Sequence, residues 1–430
     1  MLATLAAGWV LSASSPATLV FAQAPAPAPA AAPARPDVSP ATVPTRLLRT
    51  ATGNPATTVR VTWRTDAPVQ SPFAEIAIEA EGPKFEPMRR VAAETMTVRH
   101  EGTTAHYHSA EFAGLAPRTI YKYRVGADNG RGSEWVRFRT ASDRNDPFTL
   151  LYFGDAQNDI RTHWTRVVRR ALQFVPQPDV VLHSGDLINL PNSDSEWKDW
   201  FWAGTAMHSQ FLTIATPGNH EYFRGAGGER QISVWWQPQF RYPDNGLPAL
   251  RHSNYFVDYQ GVRFVSLDSN RMVREQALWL DRILTDNPNR WTVVTFHHPV
   301  YSTARGRNNP EIQSAWRPIL EKHDVALVLQ GHDHTYGRTV GANNRPQPQG
   351  TSGTVYVVSV SGPKMYALGE RVAQEMGRFV ADTQLFQAIR FSPDRIRYES
   401  HTASGRLFDA LEITKDREGR NRVRYLPVPR

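Results

Sequence analysis

Between residues 148 and 334 short aliphatic runs repeatedly break off at side chains that bind metals or protons, and most breaks are marked by a glycine. "FTLLYFGD", "DVVLHSGD", "FLTIATPGNH", "WTVVTFHH" and "VALVLQGH" carry nearly continuous, β-branched apolar stretches, the pattern of strands covered on both faces. They deliver Asp155, Asp186, Asn219 with His220, His297 with His298, and His332 with His334. Amphipathic stretches lie between or beside them, "RTHWTRVVRRALQF", "REQALWLDRILTD" and "NPEIQSAWRPILEKH", so the alternation predicts a layered α/β domain. In such domains ligand sites form at the carboxyl ends of the strands. One glycine-aspartate turn after a strand is commonplace, whereas ligand-type residues delivered in order by five strands mark a site.

Upstream the signals are purely β. "TTVRVTWRT" sets Val59, Val61 and Trp63 on one face, and "IYKYRVG" does the same with Tyr121, Tyr123 and Val125. Residues 45–143 are therefore expected to form an antiparallel β-sandwich that resembles a fibronectin type III module. Residues 147–416 form the layered domain, and 417–430 a basic C-terminal tail. Within the layered domain the late runs "GTVYVVSVSG", "FQAIRFSPDRIRYES" and "LFDALEIT" are expected to add a second sheet packed on the first, giving an α/β/β/α arrangement.

Composition narrows the chemistry. The chain has no cysteine among 430 residues, which removes thiolate nucleophiles and zinc-finger frameworks. Its formal charge is +8, but no dense Lys/Arg block accompanies it, so specific nucleic-acid binding is not expected. Residues 1–24 carry no charged side chain and end in Ala22-Gln23-Ala24, which predicts a signal peptide and export to a periplasm or the exterior. The first basic residue is Arg35, a departure from the usual charged start. Residues 25–44 read as a Pro/Ala-rich extended linker. No later stretch has the apolar length of a membrane span.

Carboxylate, carboxamide and imidazole without thiolate suit manganese, zinc, iron or magnesium. A carboxylate shared by two ions permits a pair roughly 3.5 to 4 Å apart that acts on an in-line displacement. The order Gly-Asp, Gly-Asp, Gly-Asn-His-Glu, His, Gly-His-x-His resembles the calcineurin-like metallophosphoesterases. The wording "GDAQ", "GDLIN", "PGNHEY", "HHPVYS" and "GHDHTYGR", behind a fibronectin-like domain, looks like their purple acid phosphatase branch. The resemblance implies that Asp155 and His334 hold a first metal, that Asp186 bridges, and that Asn219, His297 and His332 hold the second. It implies two divalent ions (manganese, zinc or iron) and hydrolysis of a phosphate monoester by in-line attack of a metal-held hydroxide. His220 is expected to stabilise the phosphoryl oxygens or protonate the leaving group, Glu221 to orient it, and His298 to stand behind the ligands.

The chain departs from that pattern at two positions. Purple acid phosphatases carry a tyrosine where this chain has Asn189, so no tyrosinate–ferric chromophore is expected. The Asp-x-His of other relatives reads Asp155-Ala156-Gln157. Gln157 and Asn189 are thus candidate additional ligands. Arg305, Arg307 and Arg271 are candidate phosphate contacts, and Tyr222, Tyr301 and Tyr336 are expected to pack around the site. Other readings stay open: a phosphodiesterase or nucleotide hydrolase using the same ligands, or an exported protein that captures phosphate without turnover. A further one makes the sandwich an adhesion or carbohydrate-binding module ahead of a vestigial hydrolase.

Overall fold

The computed structural model describes residues 39–83, 88–339 and 353–428. The expected signal peptide 1–24 and the linker up to residue 38 lie outside the described residues. The linker's last part does not stay extended: Pro40–Thr42 form a 3-10 turn capped by Ser39. Among the described residues no helix is long and apolar enough to cross a membrane.

The N-terminal part consists of β1 (Thr45–Thr50), β2 (Val59–Thr65), β3 (Phe73–Ile78), β4 (Arg89–Ala92), β5 (Glu94–His100), β6 (Thr103–Phe112), β7 (Ile120–Gly126) and β8 (Val136–Arg139). One group pairs as β1-β2-β6-β5 and the other as β4-β3-β7-β8. Val59, Val61, Trp63, Tyr121, Tyr123 and Val125 pack together between them, as their alternation requires. The opposite face of β2 is covered as well. Thr62 donates to the Gln239 carbonyl at 2.9 Å, and Arg64 pairs with Asp194.

Next come β9 (Phe148–Phe153), helix α1 (Thr165–Phe174), β10 (Val180–His183), helix α2 (Asp194–Ala203) and β11 (Leu212–Ala215). The three strands are parallel neighbours. Strand β1 pairs in parallel with β11 at Thr50 and Thr213, which fuses half of the sandwich to this layer. A short hairpin follows, β12 (Tyr222–Arg224) and β13 (Arg230–Ile232). The second large sheet holds β14 (Tyr255–Tyr259), β15 (Val262–Ser266), β16 (Trp291–Thr295), β17 (Leu327–Gln330), β18 (Tyr336–Thr339), β19 (Val355–Val358) and β20 (Met376–Val380). Its order is β14-β15-β16-β17-β19-β18-β20. Finally β21 (Leu385–Phe391), β22 (Arg395–Thr402), β23 (Leu407–Lys415) and β24 (Asn421–Tyr425) extend the first sheet beyond β9, giving it eleven strands.

Three sequence expectations change here. The late β runs do not make a sheet of their own: β19 inserts in parallel beside β17, and β21 pairs with β9. The α/β strands are thereby divided between two sheets. The tail 417–430 contains a strand, since β24 pairs with β23 from Leu411–Tyr425 to Lys415–Asn421. The helix expected over "NPEIQSAWRPILEKH" is broken at Trp316 into Pro310–Ala315 and Arg317–Lys322, because Pro318 has no N–H to carry the ladder through.

Apolar residues from both large sheets, including Leu150, Leu182, Phe264, Val293 and Leu327, form a shared core. On α1, Val167, Val168 and Ala171 face that core, and on the far side of the second sheet Trp279, Ile283, Trp316 and Leu320 cover Val294 and Val328. Each large apolar side chain so buried contributes about 1.5–3 kcal/mol. This gives the expected α/β/β/α layering and brings the carboxyl ends of two sets of parallel strands to one edge.

Candidate functional site

Each sheet supplies half of the site. Asp155, Asp186 and Asn219 follow β9, β10 and β11, while His297, His332 and His334 follow β16 and β17. The loops approach so closely that side chains are excluded: a Cβ on Gly331 would overlap Oδ1 of Asp155, and one on Gly218 would overlap Oδ1 of Asp186. Asp186, His332 and His334 have φ of +50°, +75° and +49°, a left-handed backbone that costs energy outside glycine and recurs at functional sites.

Two donor clusters share one carboxylate. Asp155, Asp186 and His334 form one, and Asp186, His297 and His332 the other, with one ligand atom from each residue of a cluster within 4.8 Å of the others. Nε2 of His334 lies 3.0 Å from Oδ2 of Asp155, and Nε2 of His297 lies 3.0 Å from Oδ2 of Asp186. Nδ1 of His332 and Oδ1 of Asn219 both stand 3.2 Å from Nε2 of His297.

The far ring nitrogens fix the tautomers. His297 Nδ1 donates to the Ser184 carbonyl at 2.9 Å, and His334 Nδ1 to the Lys364 carbonyl at 2.9 Å. Their Nε2 lone pairs therefore point at carboxylate oxygens, an acceptor-to-acceptor contact that needs a proton or a cation between the atoms. Burial disfavours a charged His297, but Asp186 and Asp155 outweigh it and lift its pKa to about 9. Burial likewise works against ionised Asp186, and His297 still holds it below the usual carboxylate range. A divalent cation satisfies the same atoms, and this mixed oxygen and imidazole set suits a borderline or hard metal.

Gln157 belongs with the first cluster. It is fully buried, its Nε2 lies 3.0 Å from Asp186 Oδ2 and 3.2 Å from His334 Nε2, and its Oε1 has no partner. Carboxamide N and O are assigned from their surroundings. Turned over, the same amide aims its orphaned oxygen at the atoms that would surround a metal. Asn189 acts otherwise: its main-chain carbonyl accepts from His220 Nδ1 at 2.6 Å, and no side-chain hydrogen bond to the cluster occurs among the described residues. The main-chain N–H of His220 donates to Asp186 Oδ1 at 2.8 Å, and the half-buried ring has no hydrogen bond to Nε2 among the described residues.

Glu221 does not orient His220. Its buried carboxylate accepts the N–H groups of Gly218 at 2.6 Å, Asp186 at 2.9 Å and Leu187 at 2.8 Å, clamping two ligand loops together. Burial and the neighbouring Asp186 push its carboxyl up to about 8. His298 stands behind the ligands, with Nδ1 2.8 Å from Ser269 Oγ and its ring centroid 4.3 Å from that of His332. Burial, with His297 next, pushes its pKa well down.

The arginine candidates separate. Arg307 donates to the His332 carbonyl at 2.6 Å, lies 3.6 Å from Asp333 and sits over the Tyr366 ring at 4.7 Å. Arg305 is exposed and bonds through its main chain to Ala367. Arg271 interacts with Tyr222, whose hydroxyl donates to Asp268. Tyr301 packs on Tyr356. Tyr336 turns away into a buried network with Tyr398 and Asp409.

Sequence reasoning missed Asp333 and the segment after β19. Asp333 accepts the Thr303 and Ala304 N–H groups and so ties the loop after His297 to the loop holding His332 and His334. Lys364 and Tyr366 flank His334, the latter with ring centroids 4.6 Å apart. "VYVVSVSGPKMY" ends a strand at the same edge, and the strand-end rule applied to it would have found them.

Comparison with known proteins agrees with this geometry. Residues 148–336 match the family model of the calcineurin-like phosphoesterase, and residues 44–140 that of the purple acid phosphatase N-terminal domain. An uncharacterized protein of Mycobacterium tuberculosis is 28% identical over 363 residues, covering 72% of this chain and 67% of that protein. Purple acid phosphatase 21 of Arabidopsis thaliana is 29% identical over 242 residues, 54% of this chain and 53% of its own length. The structure of purple acid phosphatase PPD1 from yellow lupin (Lupinus luteus) superposes with a TM-score of 0.74 over 88% of this chain and 75% of that one. At 19% identity this shows a common fold.

Proposed function

From the premise that this chain carries a calcineurin-like phosphoesterase domain behind a purple acid phosphatase N-terminal domain, we propose that it hydrolyses phosphate monoesters with two divalent metal ions. The observation that carries this reading is the pair of donor clusters sharing Asp186, whose histidine lone pairs point at carboxylate oxygens 3.0 Å away. Asp155, His334 and Gln157 would hold one ion, Asn219, His297 and His332 the other, and Asp186 would belong to both. When bound, such ions lower the pKa of water into the neutral range and neutralise charge on a phosphoryl group.

The chain's own groups supply the rest. His220, fixed through Nδ1 by the Asn189 carbonyl, offers Nε2 to a phosphoryl oxygen or to the departing alkoxide, where a positioned acid is worth about 10²–10⁴ in rate. Glu221 and Asp333 keep the ligand loops in register. With no cysteine in the chain and water as the nucleophile, the reading needs no covalent phosphoenzyme. The uncharged start and Ala22-Gln23-Ala24 support export of the mature chain.

Hydrolysis of p-nitrophenyl phosphate against bis-p-nitrophenyl phosphate by metal-loaded protein tests the substrate class. Preference for the monoester is expected, and preference for the diester would replace this reading with a phosphodiesterase.

A further inference from the structure

A cluster of arginines lies on helix α1, outside the donor clusters. Helix α1 and the turn that precedes it expose Arg161, Arg166, Arg169 and Arg170, and these line a groove of about 490 Å3 with Trp202 and Ser404. Arg166, Arg169 and Arg170 share one helical face at i, i+3 and i+4, where like charges repel and weaken a helix. Among the described residues no carboxylate pairs with those three; Arg166 donates instead to Gln384 Oε1 at 2.8 Å. Arg161 has the one acidic neighbour, Asp199 at 3.3 Å, and lies 4.1 Å from the centroid of Trp202. Trp202 is 43% exposed, and no carboxylate lines the groove.

Its position ties it to the metal-ligand cluster. Strand register sets Gln387 opposite Tyr152 and Thr402 opposite Leu385, which brings the turn with Ser404 to the strand end that carries Asp155. A hydrogen-bond chain connects the two sites: Arg166 to Gln384, Gln384 Nε2 to the Ser361 carbonyl at 2.9 Å, and Ser361 N–H to the Asp155 carbonyl at 3.1 Å.

We propose that this groove binds the remote phosphate groups of a multiply phosphorylated substrate whose reacting phosphoryl group sits at the Asp155–Asp186–His297–His334 cluster. The inference rests on the phosphoesterase reading above. Several guanidinium groups without counter-ions are the complement of a ligand with several phosphates, since arginine pairs with phosphate through charge-assisted, often bidentate hydrogen bonds. The exposed indole supplies a flat apolar wall for the ligand's carbon frame. A substrate with one phosphate would gain nothing from the groove.

The test separates binding from turnover. Short-chain inorganic polyphosphate is titrated onto metal-stripped wild-type protein and onto R169A/R170A, whose altered side chains are exposed, with circular dichroism as the check on folding. Losing two charge-assisted contacts should weaken binding by on the order of tenfold or more, while kcat/KM for p-nitrophenyl phosphate in the metal-loaded forms stays unchanged. Equal affinity in both proteins, or no binding to wild type, would overturn the proposal. So would binding to phosphatidylglycerol vesicles in place of polyphosphate, which would assign the groove to a lipid surface. Absence of p-nitrophenyl phosphate hydrolysis alongside a lost polyphosphate site would fall on the phosphoesterase reading and leave the polyanion groove standing.

Discussion

Nδ1 of His220 donates a 2.6 Å hydrogen bond to the main-chain carbonyl of Asn189, so the residue at the position where the family resemblance implies a tyrosine serves through its backbone. Replacing its side chain should matter little. N189A is expected to keep kcat for p-nitrophenyl phosphate within about threefold, whereas H220A should lose about 10²–10⁴, the usual worth of a positioned acid. Equal losses in both variants would show the Asn189 side chain at work.

Metal-loaded protein should be colourless. Tyr366 packs against the His334 ring at 4.6 Å with the planes tilted by 40°, and no hydrogen bond joins its hydroxyl to a ligand-type residue among the described residues. An absorption spectrum of the iron-loaded form checks this, with a visible charge-transfer band as the contrary result.

Gln157 should tune the first ion. Q157A removes the buried amide beside Asp186 and His334 and is expected to weaken one of two bound ions by about 10–100-fold, the range for support lost around a metal. Titration calorimetry with manganese would register one altered site, and two unaltered sites would remove Gln157 from the ligand set.

Glu221 should matter for stability more than for chemistry. In E221Q one of the oxygens that accept from Gly218, Asp186 and Leu187 becomes a donor facing an N–H, leaving a buried group unsatisfied at a cost of about 1–3 kcal/mol. A lower Tm checks it, and an unchanged Tm would contradict the clamp.

The fold should weaken on acidification even if its chemistry tolerates acid. His183 and His208 are buried with all four ring nitrogens unpartnered, among Trp164, Trp200 and Phe201. Burial pushes His183 down to about 3 and His208 well below its ordinary value. The folded-state pKa values are lowered, so the unfolded chain binds more protons once pH drops below about 6.5. Stability is full above that pH and falls toward pH 3 by about 1.4 kcal/mol per unit for each ring. Tm measured from pH 7.5 to 4.5 should fall, and H208F should flatten the slope by one proton; a flat profile in wild type would contradict this.

The strand ends were legible because aliphatic runs and glycines are local features. Asp155, Asp186, Asn219, His297, His332 and His334 all converge where the pattern puts them. What escaped depends on partners far along the chain. The periodicity of β2 marks Val59, Val61 and Trp63 as inward, but nothing local says that Gln239 and Asp194 cover Thr62 and Arg64. Likewise β19 reads as one more strand, and only its pairing beside β17 brings Lys364 and Tyr366 to His334. The contacts of Asn189 and Glu221 escaped for another reason: one accepts through its main-chain carbonyl and the other's carboxylate accepts main-chain N–H groups, contacts a side-chain motif does not encode.

The proposed function depends on Asp186, the residue shared by both donor clusters, joining two metal sites into one phosphoesterase centre. Metal content and p-nitrophenyl phosphate turnover measured together on wild type and Asp186→Ala test it most directly. Two ions per wild-type chain, with both turnover and metal binding lost in the variant, are the predicted result. Turnover that survives in Asp186→Ala would contradict the account.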